Sequence, residues 1–484
     1  MQQTSVLYRS SDPSNDTVTM TADYDLVIIG TGAAGTSAAA AAVHMGAARV
    51  AMVERGPLWG TCVNVGCIPS KFLLTLAGHH YYRGDQQRNY GVDRQFDLGA
   101  ALAGKNALIE RLKEKKKDRF LDRLGIELVE GEAAFLSPGK IRVGDRTLIS
   151  GRFIIATGSS PSLPPVKGMG SVPYMTSAEA LDPEHIPASL VVIGGRALGL
   201  EFAQLYRHFG ADITLLQRSP RIIPEEEPEI SDLLAEYLRQ EGVEIRTGVN
   251  PERVEKSGDQ IMTTTTINGK TEKFSAECLL LATGRTPNTH ELHLENAGVS
   301  TMKNGAVIVD ASMRTTSAGI WAAGDVTGEP MLETTARKGG EIAAINAFSE
   351  LKRSFDRSAL PHGIFTSPQV ASVGMTEDRA TRAGLPATAR KVRMDVLAKP
   401  SIVGDARGMV KIVADTASDR ILGVHICSPQ ATEIIQQGVL AIRHRLGVQD
   451  LIDEIHTFPS LSEIISVCAR EFRKNSEKDC EVPL

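Results

Sequence analysis

Short, uninterrupted apolar runs that end in small residues recur along this chain, and such runs read as strands buried on both faces. The first, Tyr24-Asp25-Leu26-Val27-Ile28-Ile29, leads directly into Gly30-Thr31-Gly32-Ala33-Ala34-Gly35 and an alanine-rich helical stretch through Ala42. The glycines permit a tight turn, let backbone approach a pyrophosphate, and let the helix pack on the strand, while the helix start offers amide donors to phosphate. A second strand, Arg49-Val50-Ala51-Met52-Val53, ends in Glu54, at the distance where an acidic side chain meets an adenosine ribose hydroxyl. Strand, glycine turn, helix and acid together predict a dinucleotide-binding unit.

The pattern returns at Leu190-Val191-Val192-Ile193-Gly194-Gly195-Arg196-Ala197-Leu198-Gly199, with a helix from Glu201 to Phe209 and a strand Ile213-Thr214-Leu215-Leu216. Arg196 stands at the middle glycine position, which leaves a plain structural crossover as an alternative. The second strand runs into Gln217-Arg218-Ser219, with Arg221 beyond, where an NAD site would offer a carboxylate. Guanidinium groups suit an extra 2'-phosphate, so NADPH is expected rather than NADH. Two further runs, Phe153-Ile154-Ile155-Ala156-Thr157-Gly158 and Leu279-Leu280-Leu281-Ala282-Thr283-Gly284, each read as closing one of the two sheets. Gly324-Asp325 follows another such strand and places a carboxylate to accept a hydrogen bond from a sugar or ribitol hydroxyl.

A chain of 484 residues exceeds one hydrophobic core. A net charge of -5 argues against a nucleic-acid or anionic-membrane partner. The basic run Lys113 to Arg119 sits among apolar residues at helical spacing and reads as a solvated helix face. Residues 1–22 are polar, without an apolar stretch, and are expected to be a disordered leader. Six cysteines in so long a chain make no disulfide framework, so a reducing, cytoplasmic setting is expected, with Cys278 and Cys427 as packing residues.

The exception is Gly60-Thr61-Cys62-Val63-Asn64-Val65-Gly66-Cys67, followed by Ile68-Pro69-Ser70-Lys71. The spacing can bring both sulfurs within bonding distance at an irregular helix start, where amides favour a thiolate. A redox pair is expected; the alternatives are a zinc half-site, which lacks a matching second pair, or inert thiols. Lys71 would reach toward a flavin and pair with Glu201.

The cysteine segment, both glycine turns, Ala322-Ala323-Gly324-Asp325 and Phe365-Thr366-Ser367-Pro368-Gln369-Val370-Ala371-Ser372-Val373-Gly374 resemble the pyridine-nucleotide disulfide oxidoreductases, over residues from about 23 to 470. Within that group the chain is most similar to mercuric reductases, notably at Leu216-Gln217-Arg218-Ser219-Pro220-Arg221. The resemblance implies an α/β protein with two Rossmann-like domains, for FAD and NADPH, and a C-terminal α+β domain that makes a homodimer. The boundaries expected are 23–160 and 289–357 for the FAD domain, 161–288 for the NADPH domain and 358–484 for the dimerisation domain. The expected FAD site comprises Gly30, Gly32, Ala33, Ala34, Gly35, Glu54, Gly60, Thr61, Lys71, Ala156, Thr157, Gly158, Gly324 and Asp325. The NADPH site comprises Gly194, Gly195, Arg196, Gly199, Glu201, Gln217, Arg218, Arg221 and Gly284. The resemblance also assigns Cys67 as the thiolate beside the flavin and Cys62 as the thiol that meets substrate.

Relatives that reduce lipoamide or glutathione carry a proton-shuttling histidine before a proline, with an orienting glutamate five residues after the histidine. Here the segment reads His456-Thr457-Phe458-Pro459-Ser460-Leu461-Ser462-Glu463, which puts Phe458 in the histidine position. His456 is then either a displaced base or a surface or interface histidine. Mercuric reductases use a tyrosine there, and their vicinal C-terminal cysteines are replaced by the single Cys480, which either passes a soft ion to the partner subunit's Cys62 and Cys67 or is simply an exposed tail cysteine. The expected function is reduction of Hg(II) or another soft metal ion. Disulfide reduction with a displaced base, or redox sensing by a flavoprotein, are the competing expectations.

Overall fold

The computed structural model describes residues 5–6, 20–88, 96–267, 269–328 and 330–474. Cys480 lies outside them. So does most of the expected leader, within which Ser5–Val6 pairs antiparallel with Met20–Thr21. The chain forms two compact units: Met1–Ser70, Gly99–Ser162 and Gly284–Asp356 make the first, and Lys71–Leu98, Leu163–Thr283 and Arg357–Leu484 the second.

In the first unit, five parallel strands lie in the order Ile320–Ala322, Phe153–Ile155, Leu26–Ile29, Val50–Glu54, Glu127–Glu130. Leu26–Ile29 and Phe153–Ile155 are buried at every position, which is why their sequences are apolar without alternation. The helix Ala33–His44 follows the first glycine turn and lies against the helix Glu333–Phe348. Small residues set both approaches. A Cβ on Gly35 would stand 1.9 Å from the Gly30 carbonyl oxygen, and one on Gly340 would stand 2.1 Å from that of Ala34.

In the second unit, four parallel strands run Val243–Thr247, Asp212–Gln217, Ser189–Ile193, Cys278–Leu281. The helix Ala197–Phe209 repeats the earlier contact: a Cβ on Gly199 would meet the Gly194 carbonyl oxygen at 1.8 Å. Five antiparallel strands form the C-terminal sheet, in the order His362–Ile364, Gln369–Gly374, Ile421–Ser428, Met409–Asp415, Ala387–Arg393. Lys411 on this sheet donates to Glu227 at 2.9 Å, a buried ion pair that ties the sheet to the residues just before the helix Pro228–Gln240. Two parallel sheets with crossover helices, together with the antiparallel C-terminal sheet, give the α/β class expected. Cys427 is wholly buried, and burial pushes its thiol up to about 12; Cys278 is half-buried.

The stretch Gly60–Tyr82 has the length and hydropathy of a membrane span. It is nevertheless two helices, Gly60–Asn64 and Cys67–Arg88, broken at Val65 and Gly66. Its apolar residues Leu73 and Ala77 are wholly buried against protein.

Because the helix–strand contacts leave no room for a methyl group, Gly199→Ala should be destabilising by about 1–3 kcal/mol, the usual range for overpacking. A lower melting temperature with intact secondary structure at 25 °C is the expected result, checked by circular dichroism.

Candidate active site

Both cysteines belong to the first unit. The short helix Gly60–Asn64 carries Cys62, and Cys67 opens the next helix, where free amide groups favour an anion. Gly66 makes the juxtaposition possible. A Cβ there would stand 2.8 Å from the Thr61 carbonyl oxygen and 3.1 Å from the Cys62 Cα, so only glycine lets the chain press back onto the Thr61–Cys62 peptide. Cys62 is hydrogen-bonded to Cys67. That bond, with burial, pushes the Cys62 thiol well above its ordinary range. Glu333 pushes in the same direction, while the Lys116 ammonium opposes it.

Asn64 secures the short helix by donating to the carbonyl oxygens of Leu58 and Gly60 at 2.8 and 2.9 Å. Ahead of it, Trp59 adopts φ 77°, a left-handed conformation that costs a non-glycine residue about 1–2 kcal/mol. Its amide donates to Thr31 Oγ1 at 2.9 Å, and its indole is only 3% exposed.

In the second unit, Lys71 donates to Glu201 Oε2 at 2.6 Å, the pairing expected from sequence. Glu201 is buried and also accepts from the Phe365 amide at 2.9 Å, while the Lys71 ammonium lies 4.7 Å from the centre of the Phe365 ring. The carboxylate is thus compensated from two sides. Phe365, whose part in this cluster the sequence does not signal, closes it.

The two glycine turns have the features needed to receive dinucleotides. Gly30 and Gly194 adopt φ 109° and 115°, and a Cβ at either would fall 2.3 Å from a carbonyl oxygen, of Ala156 and Ala282 respectively. Neither helix start carries a side-chain cap, so the first-turn amides remain available to phosphate. Gly32 faces open space, its nearest neighbour to a built Cβ being Gly60 Cα at 3.9 Å. Arg196 occupies the corresponding place with φ −97°, ordinary for any residue, and its side chain points outward toward Glu225 at 3.7 Å. The missing glycine therefore costs the second turn no backbone strain. The residues present fit FAD at the first turn and a nicotinamide dinucleotide at the second.

One exchange distinguishes the turns. Glu54 Oε2 accepts from the Thr31 amide at 3.0 Å, and its other oxygen accepts from Arg55 and Gly56. Gln217 Oε1 accepts from the equivalent amide, that of Gly195, also at 3.0 Å. An amide has replaced a carboxylate while preserving the bond, which removes a negative charge from the second turn. Arg218 and Arg221 beside it are exposed.

Asp325 follows the strand Ile320–Ala322 and accepts from Ser159 Oγ at 2.7 Å. Arg285 donates to the same hydroxyl at 2.7 Å and lies 3.9 Å from Asp325. Arg285 and Ser159 escape a motif reading because their role depends on the antiparallel pairing of Ser159–Pro161 with Arg285–Pro287.

The C-terminal segment separates residues that the sequence leaves together. Phe458 is 74% exposed. The side chain of His456 is only 6% exposed, with Nδ1 3.5 Å from Gln437 Nε2 and Nε2 3.9 Å from Glu454. Glu463 accepts from the Ser460 amide at 2.7 Å, which fixes the turn. The basic run also departs from expectation: Lys115, Lys117 and Arg119 are exposed, but Lys113 and Lys116 are half-buried.

Residues 24–340 match the family described as pyridine nucleotide-disulphide oxidoreductase, and residues 360–468 match its dimerisation domain. The chain is 38% identical over 456 residues to a mercuric reductase of Lysinibacillus sphaericus, covering 94% of this chain and 83% of that one. It is 35% identical to a dihydrolipoyl dehydrogenase of Thermus scotoductus, covering 94% and 98%. Among solved structures, the HOCl-induced flavoprotein disulfide reductase RclA from Escherichia coli superposes with a TM-score of 0.84 at 30% identity, over 92% of this chain and 99% of that one. A Cu(II) complex of the same reductase superposes with the same score over 93% and 100%. With two nucleotide turns, a hydrogen-bonded dithiol and matches along nearly its whole length, this chain belongs to the pyridine nucleotide-disulphide oxidoreductases, flavoproteins that use FAD and NAD(P)H.

Proposed function

We propose that this enzyme reduces Hg(II), or another soft metal ion, with electrons from NADPH: Hg(II) and NADPH give Hg(0), NADP+ and a proton. Bound FAD supplies the two-electron relay between nicotinamide and dithiol. Cys62 and Cys67 hold the ion as thiolates, Cys62 meeting it first and Cys67 on the flavin side. Lys71, Glu201 and the residues of the two glycine turns support the flavin and nicotinamide sites, with the domain boundaries given above. Cys480 is the residue proposed to hand the ion over from the tail.

The observation that carries this reading is the side chain at position 458. A disulfide substrate needs a proton donor for its leaving thiolate. Phe458 cannot serve, and the buried His456 with its Gln437 contact does not support a substitute. A soft ion held by two thiolates needs no such donor. Ile455, at 96% exposure, and Phe458 present apolar surface that favours a homodimer through the dimerisation domain. NADPH preference is supported by the uncharged Gln217 with Arg218 and Arg221 beside it. The printed names of the relatives, which include a dihydrolipoyl dehydrogenase and a disulfide reductase, keep disulfide reduction as the second reading.

Three measurements test this. NADPH oxidation by the purified flavoprotein should be stimulated by HgCl2 with excess thiol, and weakly or not at all by lipoamide or oxidised glutathione; disulfide turnover without Hg(II) turnover would reject the proposal. Cys67→Ser should abolish the long-wavelength thiolate-to-flavin absorption of the two-electron-reduced enzyme, and Cys62→Ser should retain it. Arg218→Glu should raise the Michaelis constant for NADPH about ten-fold or more while changing that for NADH little, because a charge-assisted contact to the 2'-phosphate is lost.

A further inference from the structure

The ground before Cys62 is more elaborately built than a redox pair requires. Trp59 holds its left-handed backbone immediately ahead of Gly60, itself at φ 70°, and buries its indole against Phe120 with ring centres 5.9 Å apart. Phe120 faces inward because the helix Leu98–Lys117 passes into a π-helical stretch, Asp118–Arg123, that shifts the phase of the following side chains. The Lys116 ammonium stands 5.8 Å from the centre of the Trp59 ring and 5.9 Å from that of Phe120, within reach of cation–π attraction to both. Among the described residues no carboxylate ion-pairs with Lys116. The nearby Glu333 is engaged by Arg337 at 2.5 and 3.1 Å. Burial lowers the affinity of Lys116 for its proton; Cys62 as a thiolate and Glu333 oppose this, while Arg337 adds to it.

We propose that Lys116, seated on Trp59 and Phe120, is a specificity residue that draws anionic substrates, such as carboxylate-bearing thiol complexes of a soft metal or carboxylate-bearing disulfides, onto Cys62. The proposal rests on the reading of Cys62 as the thiol that meets substrate. The aromatic platform explains why a cation is held within electrostatic reach of that thiol without being neutralised. Ring faces attract the ammonium and fix its position while leaving its full charge to act on an approaching ligand. An acidic partner would fix it equally well but cancel that charge. The sign is therefore toward anions, and the effect belongs to encounter and binding rather than to the electron transfer that follows.

The test is alkylation of the NADPH-reduced holoenzyme by iodoacetate, an anion, and by iodoacetamide, its neutral counterpart, with the labelled cysteine identified by mass spectrometry. Lys116→Gln should lower the ratio of iodoacetate to iodoacetamide rates at Cys62 about five-fold, a modest value for one nearby charge screened by water. Lys116→Arg should keep the ratio near that of the native enzyme. Lys116→Met retains an apolar stem over the rings and should behave as Lys116→Gln, whereas a packing role would leave its ratio native. An unchanged ratio in Lys116→Gln, with label on Cys62, overturns the specificity role alone. Label on Cys67 instead overturns the assignment of Cys62 on which it rests.

Discussion

Everything in this molecule that concerns nucleotides depends on one contact made twice: a helix pressed so closely onto a strand-end carbonyl that no side chain fits between. Gly35 meets Gly30 in this way, and Gly199 meets Gly194. The contact sets the distance of each helix from its sheet and directs the helix amides outward from the turn. An anion-binding surface is then available without a single basic side chain. Arg196 shows how narrow the requirement is. Its neighbours must be glycine because they have no space or take a left-handed φ, but its own backbone is ordinary, so a long side chain is accommodated by turning outward.

A similar economy governs the dithiol. Gly66 lets the backbone fold back on the Thr61–Cys62 peptide, and the hydrogen bond between the two sulfurs follows from that local path. Distinct functions then arise from small exchanges on a repeated frame. Glu54 and Gln217 make the same hydrogen bond to equivalent amides, yet only one brings a negative charge. At the C-terminus, Phe458 keeps an aromatic ring at the surface.

The chain itself determined the strand–turn–helix units, the place of the cysteine pair and the α/β class. Each of these rests on short-range spacing or on backbone freedom that only glycine has, and such constraints are written in consecutive residues. Tertiary structure alone decided which polar groups are buried and what they face. His456 reads as a candidate base until its imidazole is found packed beside Gln437. Lys116 reads as one more solvated lysine until a π-helical turn and a left-handed tryptophan place two rings beneath it. Arg285 joins Asp325 only through the pairing of strands more than a hundred residues apart. The strength and direction of a charge depend on burial and on neighbours brought from elsewhere in the chain, and neither is a property of the local sequence.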